Sequence, residues 1–575
     1  MPTGRVSAPW CSEGDIDTRR LSSKKLANEE HIVTMHDLKG ELARPVQASK
    51  VSVPVWMAGL VFVGFSASTM AQTPTSDKAG ADNADTQKAL TFPEMFQREV
   101  VNGSQVHGRI GIYDFRRQHD LNQPYPGQPP TDDEFNNENT NYGAQIGIQT
   151  GRIYGFSAGA EFVYSGGFYS DNDAGTRLNC VLACGDEISQ ITQGYLQFNS
   201  YGAQIRAGRQ LLNTPLAASD QFTFKPRSFS GVSATIRPLQ TAQRLQYSPG
   251  DLAEGDATDT STFGPQVTRS RIADTQNYET DQYLPFAMGA ETMDVPEWQL
   301  VGAKIDRFAS RFNNTNYRSD NRYFTDVDGF WMVGTTFRHV FDEGQIIGQY
   351  YHYRFQQTVS SDYGEIGYMA PVIGDKATGW APYVRAQASA SYNADEERIP
   401  QGIDNQIYGL KLGVTSNDLG FSVFGTYSPV NKGSFNNGQT LNPYTDLSGV
   451  FYTDTMNNGV QNFGPGWGAG VRFDFTPTDN LAMYARYVKY KAEFGHYHDF
   501  YFSGGANNQI TDDSFTGNLV RDQYSDGIGI GLTYDLGGVW KQLAGLKLNN
   551  NLGITRYDEN APNFYDNRLR LFYQF

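Results

Sequence analysis

Segments in which apolar residues alternate with small or polar ones recur from about residue 103 to the end of the chain. The clearest examples are 142–149, 467–475 and 528–534. Because the side chains of a β-strand point alternately to two opposite faces, each segment predicts a strand with one apolar and one polar face. A soluble sandwich also alternates, but the number of such segments, with almost no helical periodicity, predicts an all-β protein of many strands.

Composition distinguishes a membrane barrel from a soluble sandwich. The 575 residues include 34 Tyr, 36 Phe and 60 Gly, yet only 39% are hydrophobic and the mean hydropathy is −0.51, which excludes a helical membrane bundle. Abundant aromatic residues on a polar background are typical of a transmembrane β-barrel, which has a wet lumen, an apolar outer surface and aromatic girdles. We therefore predict one antiparallel barrel over 103–575 with about 18 strands, 16 or 20 being the alternatives.

Other classes of protein have little support. Three cysteines are too few for a disulfide scaffold, and a formal net charge of −16 is opposite to that of a nucleic-acid binder. The sequence contains no nucleophile elbow, HExxH or phosphate-binding loop, so we predict no enzyme activity, no cofactor and no metal site. Two alternatives stay open: a surface metal site at His496 and His498, and a disulfide between Cys180 and Cys184.

The chain before the barrel divides into three parts. Residues 1–34 are predicted to be an upstream extension foreign to the natural protein, because a start at Met35 gives a signal peptide of ordinary length. Residues 35–71 are predicted to be that signal peptide, with its apolar run at 51–65; a single membrane anchor is the alternative. Residues 72–102 are polar and aperiodic, which predicts a largely disordered periplasmic leader.

The links between the predicted strands alternate between short and long. Short periplasmic turns and long outer loops are the rule for outer-membrane barrels, so we assign the long links to the outer rim. Residues 238–296 and 360–405 leave the strand count open, the first being either a loop or a loop with a hairpin. The third long link, 211–228, mixes apolar with polar residues, which predicts a loop that folds inward and narrows the pore.

Basic residues dominate the polar face of the predicted strands. An arginine that faces lipid near the midplane costs roughly 2–4 kcal/mol, so these residues are expected to point into the lumen. The acids lie mainly in the links, although Glu161, Asp306 and Asp474 share the lumen face. The basic residues predicted to contact substrate are Arg109, Arg206, Arg237, Lys304, Arg338, Arg354, Arg385, Lys411, Arg472, Arg486, Arg568 and Arg570, and Lys547 lies on the same face.

A basic lumen predicts a function. It concentrates anions and offers carboxylate or phosphate groups a series of guanidinium forks to exchange between, which favours a passive, substrate-selective diffusion channel. A structural or adhesive barrel acting through acidic outer loops is the alternative. The competing interpretation of the charge pattern is that the loops are charged because they are solvated and that the charges inside the barrel have random signs. An enzyme or a gated receptor is disfavoured, because the sequence shows neither a nucleophile–histidine pair nor a long plug domain.

One stretch of sequence, LLNTPLAASD followed by KPRSFSGVS, resembles the OprD family of substrate-specific outer-membrane porins. The resemblance is clear over 190–240. Over the rest of 95–575 it rests on the arrangement of regular strands and long loops, and residues 249–296 and 360–405 do not match the family pattern. It implies an 18-stranded monomeric barrel, a constriction formed by the third loop, and a basic ladder for amino acids, short peptides or organic acids, aromatic ones included. It also implies that Ser219 and Asp220 lie at the pore eyelet. The predicted constriction residues are Ser219, Asp220, Lys225 and Arg227.

The last alternating segment has Leu569, Leu571, Tyr573 and Phe575 on its apolar face. A strand of this kind that closes on Phe resembles the signal read by the outer-membrane barrel assembly machinery. The expected partners are this machinery, outer-membrane lipid and small solutes, without nucleic acid. The expected location is the bacterial outer membrane.

Overall fold

The computed structural model of the protein describes 18 stretches of the chain. Predictions about the signal peptide, the Cys180–Cys184 pair and the two histidines lie outside them. The described residues are 92–119, 135–172, 187–200, 203–219, 224–238, 262–263, 298–309, 316–317, 329–341, 344–374, 379–394, 402–416, 418–440, 450–455, 465–478, 480–493, 523–557 and 563–575.

The sheet contains 21 strands, of which three have only two residues and the other 18 form the wall of a barrel. This confirms the predicted fold class. The strands are β1 (Gln105–His119), β2 (Phe135–Gln149), β3 (Phe156–Asn172), β4 (Ile188–Ser200), β5 (Ala203–Thr214), β6 (Ala217–Ala218), β7 (Ser228–Ile236), β8 (Thr262–Phe263), β9 (Trp298–Ala309), β10 (Asn316–Tyr317), β11 (Phe330–Phe341), β12 (Gly344–Phe355), β13 (Val359–Met369), β14 (Ala381–Asn393), β15 (Asp404–Thr415), β16 (Leu419–Ser428), β17 (Gly466–Thr478), β18 (Leu481–Ala492), β19 (Gln523–Asp535), β20 (Leu546–Tyr557) and β21 (Phe564–Gln574).

The barrel closes where the first and last strands meet. β1 pairs with β21 in antiparallel register, with Arg109 opposite Gln574 and His119 opposite Phe564. Each wall strand thus pairs with two neighbours, which satisfies the backbone hydrogen bonds that lipid cannot satisfy.

The outer surface of the wall is apolar. On β1, Ile110 and Ile112 point outward and are exposed, and Leu569, Leu571 and Tyr573 do the same on the adjoining β21. Most of the inward-facing neighbours on both strands, Arg109 and Arg570 among them, are buried. This alternation of exposed apolar and buried polar residues is that of a transmembrane barrel of the outer-membrane type.

Helical structure is confined to short segments. α1 (Phe92–Met95) continues as a π-helical segment, Phe96–Val101, just before β1. Residues 92–101 belong to the end of the predicted leader, whose residues 72–91 lie outside the described stretches. Three 3₁₀ turns lie in the links, at Phe435–Asn437, Leu536–Gly538 and Lys541–Leu543. Throughout the described stretches, no helix is long and apolar enough to cross a membrane.

The link between β7 and β9 lies on an unexpected rim. β7 pairs directly with β9, so residues 237–297 add no wall strand, which settles the open count. Six wall strands precede this link, and it therefore begins on the periplasmic rim, where β1 starts. The rule that long links belong to the outer rim is wrong here, and the outer link 356–358 is conversely a tight turn. Within the long link, β8 pairs in parallel with Leu211 and Leu212 of β5.

Candidate functional site

The third outer loop starts where β5 leaves the wall. β5 pairs with β7 only as far as Gln210, and beyond it the chain turns into the lumen and forms a short hairpin with β6. The Ser219 backbone N–H donates to the Leu212 carbonyl oxygen (2.7 Å), and the Ser219 hydroxyl accepts from the Leu212 N–H (3.0 Å). We call residues 211–219 the constriction hairpin. Ser219 closes its base, whereas Asp220 lies outside the described residues.

The tip of the constriction hairpin packs on the inner face of β9, β11 and β12. The Leu216 N–H donates to the Tyr353 hydroxyl (3.3 Å), and Leu212 and Leu216 are buried in an apolar cluster. Fully burying a leucine stabilises a structure by about 1.5–3 kcal/mol, so this contact fixes the hairpin to the wall. The wall residues of the cluster on these strands are Val301, Ala303, Ile305, Phe308, Phe330, Met332, Tyr351, Tyr353 and Phe355.

The returning arm of the same loop reaches the opposite neighbours of β5. The Phe224 ring stacks on Tyr113 of β1, with 4.0 Å between ring centroids, and Arg109 donates to the Phe224 carbonyl oxygen (3.1 Å). Lys225 and Arg227 follow directly and are both buried. The third loop thus covers the inner face of the wall from β1 to β12, as an inward-folded loop should.

A second outer loop also folds inward, which the sequence did not lead us to expect. Residues 450–455, here called the inner strap, are all buried. The Tyr452 hydroxyl donates to Glu365 Oε1 of β13 (2.6 Å), and the Tyr452 carbonyl accepts from Arg486 of β18. The Thr453 carbonyl accepts from the Tyr490 hydroxyl, also on β18. The inner strap therefore contacts the wall at β13 and β18.

The two inward segments meet on one side of the lumen. Leu216 of the constriction hairpin and Phe451 of the inner strap belong to the same apolar cluster. Six of the buried arginines lie on strands that contribute no residue to that cluster: Arg109, Arg385, Arg472, Arg486, Arg568 and Arg570.

Buried charges among the described residues are mostly basic. Nine of the predicted substrate-binding residues occupy buried, inward positions, while Arg237 just follows β7 and is half-buried, as is Lys547. The eleven buried basic residues are Arg109, Arg206, Lys225, Arg227, Arg338, Arg385, Lys411, Arg472, Arg486, Arg568 and Arg570. The four buried acids are Glu161, Glu365, Asp454 and Asp566.

Two basic residues and one acid predicted to line the lumen point outward instead. Lys304 is exposed on the outer surface, with its Nζ 3.5 Å from Asp306 Oδ1, so Asp306 does not face the lumen either. Arg354 alternates with Tyr353 and Phe355, which are fully buried on the inner face. We had assumed that the apolar face of every strand meets lipid. On β9 and β12 the apolar face packs on the constriction hairpin, which reverses the assignment.

Two of the buried acids form ion pairs that the sequence did not reveal. Glu365 Oε1 lies 2.8 Å from Arg385 Nε, and Asp566 Oδ1 lies 2.6 Å from Arg568 Nε. The second pair carries a signal, since residues two apart on a strand share a face. The first pair joins the neighbouring strands β13 and β14, so it can be recognised only when the pairing register of those strands is known. Glu161, which was predicted to face inward, does so and accepts hydrogen bonds from neighbouring side chains.

Aromatic rings hold several guanidinium groups in place. Such contacts restrict the side chain and leave the edge of the guanidinium able to donate hydrogen bonds. An array of fixed donors can take up a carboxylate from one position and release it to the next. The pairs, with distances from the guanidinium carbon to the ring centroid, are Arg206–Tyr195 (4.1 Å), Arg472–Tyr484 (4.6 Å), Arg486–Phe424 (4.7 Å), Arg570–Tyr113 (5.6 Å) and Arg568–Phe115 (5.8 Å).

Comparison with known proteins supports the class that the fold defines, a transmembrane barrel of the porin type. A BenF-like porin from Pseudomonas fluorescens is 13% identical, with a TM-score of 0.55 over 82% of this chain and 99% of that one. OpdK with vanillate and OccK2 (OpdF) in complex with glucuronate, both from Pseudomonas aeruginosa, are each 12% identical over 82% of this chain and 98% of theirs, with TM-scores of 0.53 and 0.52. The chain shares the fold of these porins.

No protein-family model matches the chain, and no curated protein sequence is significantly similar to it. Within the described stretches, no cluster of three or more His, Cys, Asp or Glu is arranged to hold a metal ion.

Proposed function

We propose that this protein is an outer-membrane porin of the OprD type, a passive and non-enzymatic channel that selects small carboxylate-bearing solutes. The observation that carries the proposal is the set of buried charges in the described part of the chain, eleven basic against four acidic. In a lumen walled by protein, a charge is screened less than on an open surface, so this excess raises the concentration of anions inside.

The arrangement of the partners supports selection as well as attraction. Arg109 and Arg486 each donate to a backbone carbonyl, which orients the guanidinium. By contrast, Arg385 and Arg568 lie against the carboxylates of Glu365 and Asp566. We assign Arg109 and Arg486 to solute binding, and Arg486 holds the inner strap as well. Arg385 and Arg568 are assigned to holding the wall.

The similar structures are consistent with a carboxylate substrate. Vanillate and glucuronate, found with OpdK and OccK2 respectively, each carry one carboxylate. The rest of the two molecules is of different chemical class, one being an aromatic acid and the other a sugar acid. A carboxylate is therefore the feature we carry over to this chain, and we leave the rest of the solute open.

Planar-bilayer recording on the purified protein tests the proposal. In a gradient of potassium chloride, we expect discrete open levels and a reversal potential of the sign for chloride preference. Sodium benzoate or glucuronate added to one side should reduce the chloride current by competing for the same arginines. A clear preference for potassium, or the absence of channel steps, would contradict the proposal.

A further inference from the structure

Five buried polar residues form a continuous row across the inner face of five neighbouring strands. Gln299 of β9 lies opposite Thr336 of β11, which lies opposite Gln349 of β12. Gln349 in turn lies opposite Glu365 of β13, and Glu365 lies opposite Gln387 of β14. We call this set the amide row, since three of its members are glutamines.

Several polar atoms of the amide row have no hydrogen-bond partner within the described part of the chain. They are both amide atoms of Gln299 and of Gln387, the Thr336 hydroxyl oxygen and Gln349 Oε1. Gln349 Nε2 donates to Glu365 Oε2 (3.1 Å), so the row is only partly satisfied by its own members. Buried polar groups are normally paired, because an unpaired one is unfavourable. On the inner face of a channel, a passing solute can supply the missing partners.

The amide row lies between an apolar and a basic part of the wall. Towards the outer rim, the next inward residues include Val301 and Tyr351, which belong to the apolar cluster that holds the constriction hairpin. Towards the periplasmic rim, they include Arg338 on β11 and Arg385 on β14, both buried. Inward residues two apart on one strand are separated by about 7 Å, so a single ring that carries a carboxylate can reach both Arg338 and Thr336.

An amide and a guanidinium recognise different groups. A guanidinium only donates hydrogen bonds, which matches a carboxylate, since an ionised carboxylate only accepts them. An amide and a threonine hydroxyl both donate and accept, which matches the hydroxyl groups of a solute. A carboxylate without hydroxyl groups leaves such a site unpaired, which is how a polar site rejects an analogue that lacks a hydroxyl.

We propose that the amide row is a hydroxyl-binding subsite, which selects carboxylates that carry several hydroxyl groups, such as sugar acids, over ring carboxylates that carry none. Arg338 holds the carboxylate. Gln299, Thr336 and Gln349 bind the hydroxyl groups, and the rotatable side chains of the glutamines let each amide turn towards the solute. This inference rests on the proposed porin function and specifies the solute that the channel favours.

Block of the chloride current by two matched solutes tests the subsite on the purified full-length protein. Glucuronate carries a carboxylate and hydroxyl groups on a six-membered ring, whereas cyclohexanecarboxylate has such a ring and the carboxylate without the hydroxyl groups. The concentration of each solute that halves the single-channel chloride current is measured in planar bilayers. Thr336→Val and Gln299→Met each remove one polar group of the amide row. Thr335→Val is the matched control, because Thr335 is the adjacent residue of β11 and faces outward.

We expect glucuronate to halve the current of the unmodified protein at a concentration at least about threefold below that of cyclohexanecarboxylate. Thr336→Val and Gln299→Met should each raise the glucuronate concentration about two- to tenfold, which is the effect of losing one hydrogen bond. Neither variant should change the concentration of cyclohexanecarboxylate. Thr335→Val should leave both concentrations unchanged.

Equal block of the unmodified protein by the two solutes would overturn the subsite, and so would row variants that weaken block by both solutes equally. In either case a chloride preference that persists in a salt gradient leaves the porin proposal intact. A potassium preference of the unmodified protein, or the absence of channel steps, would instead contradict the porin proposal and the subsite with it. Because the unmodified protein discriminates between the two solutes or does not, the test holds even if a variant fails to fold.

Discussion

Arg486 shows how a single side chain connects the pore lining with the inner strap. Its guanidinium lies over Phe424 and donates to the Tyr452 carbonyl. The change Arg486→Gln removes the charge but keeps a donor for that carbonyl. We expect the anion-over-cation permeability ratio to fall by a factor of roughly two to ten, equivalent to about 0.4–1.4 kcal/mol. Reversal potentials in a salt gradient measure this ratio.

Arg354 provides the matched control for that prediction. It is also an arginine of the wall, but it lies on the outward face of β12. Arg354→Gln removes the same charge from the chain without changing the lumen, so the permeability ratio should stay within experimental error of the original. Equal losses in the two variants would show that position in the lumen is not what governs selectivity.

At the scale of strands and loops, alternation predicts that two faces differ but not which face meets lipid. For most of the wall the apolar face is the outer one, and the assignment of Arg109 or Arg570 to the inner face follows correctly. β9 and β12 are exceptions because their apolar faces contact the constriction hairpin. That contact joins residues far apart in the sequence, so no local pattern could have revealed it.

The inner strap could not be predicted for a related reason. It is held by polar contacts to Glu365 and Arg486, which belong to strands on either side of it in the sequence. The single local signal is the apolar run at 450–452 within a polar link. The constriction hairpin was predictable because a longer mixed stretch and a family resemblance marked it.

The contacts of the inner strap lead to a prediction about conductance. Glu365→Ala removes the acceptor of the Tyr452 hydroxyl and leaves Arg385, whose side chain is 2% exposed, without that carboxylate. Removing one partner of a buried ion pair typically costs about 3–5 kcal/mol, and we expect less here because the lumen is wet. The strap should detach, which raises single-channel conductance. The barrel should also unfold at a lower temperature, measured as the temperature at which the band of the folded protein disappears on electrophoresis gels.

Tyr452→Phe separates the strap contact from the ion pair. This variant loses one hydrogen bond, worth about 1 kcal/mol, and keeps Glu365 beside Arg385. We expect a smaller rise in conductance and an unchanged melting temperature on gels. If Glu365→Ala lowers the melting temperature but leaves conductance unchanged, the strap does not restrict the pore.

For the whole molecule, the sign of the net charge and the sign of the buried charge are opposite. The chain carries a formal charge of −16, whereas the buried charged side chains of the described residues are mainly basic. The excess of acid therefore lies outside this buried set, much of it in the links of the sequence. Total charge and pI consequently say little about which ions the pore prefers.

Salt concentration separates these two sets of charges, which gives the final prediction. The Debye length is about 10 Å at 0.1 M salt and about 3 Å at 1 M, so charges at the mouth are screened at high salt while those enclosed by the wall are screened less. Asp132 and Asp133 lie in the first outer link, outside the described residues. Asp132→Asn with Asp133→Asn should raise anion preference slightly at 0.1 M and have no effect at 1 M. The loss caused by Arg486→Gln should persist at both concentrations, and its disappearance at 1 M would mean that this arginine acts through open solvent.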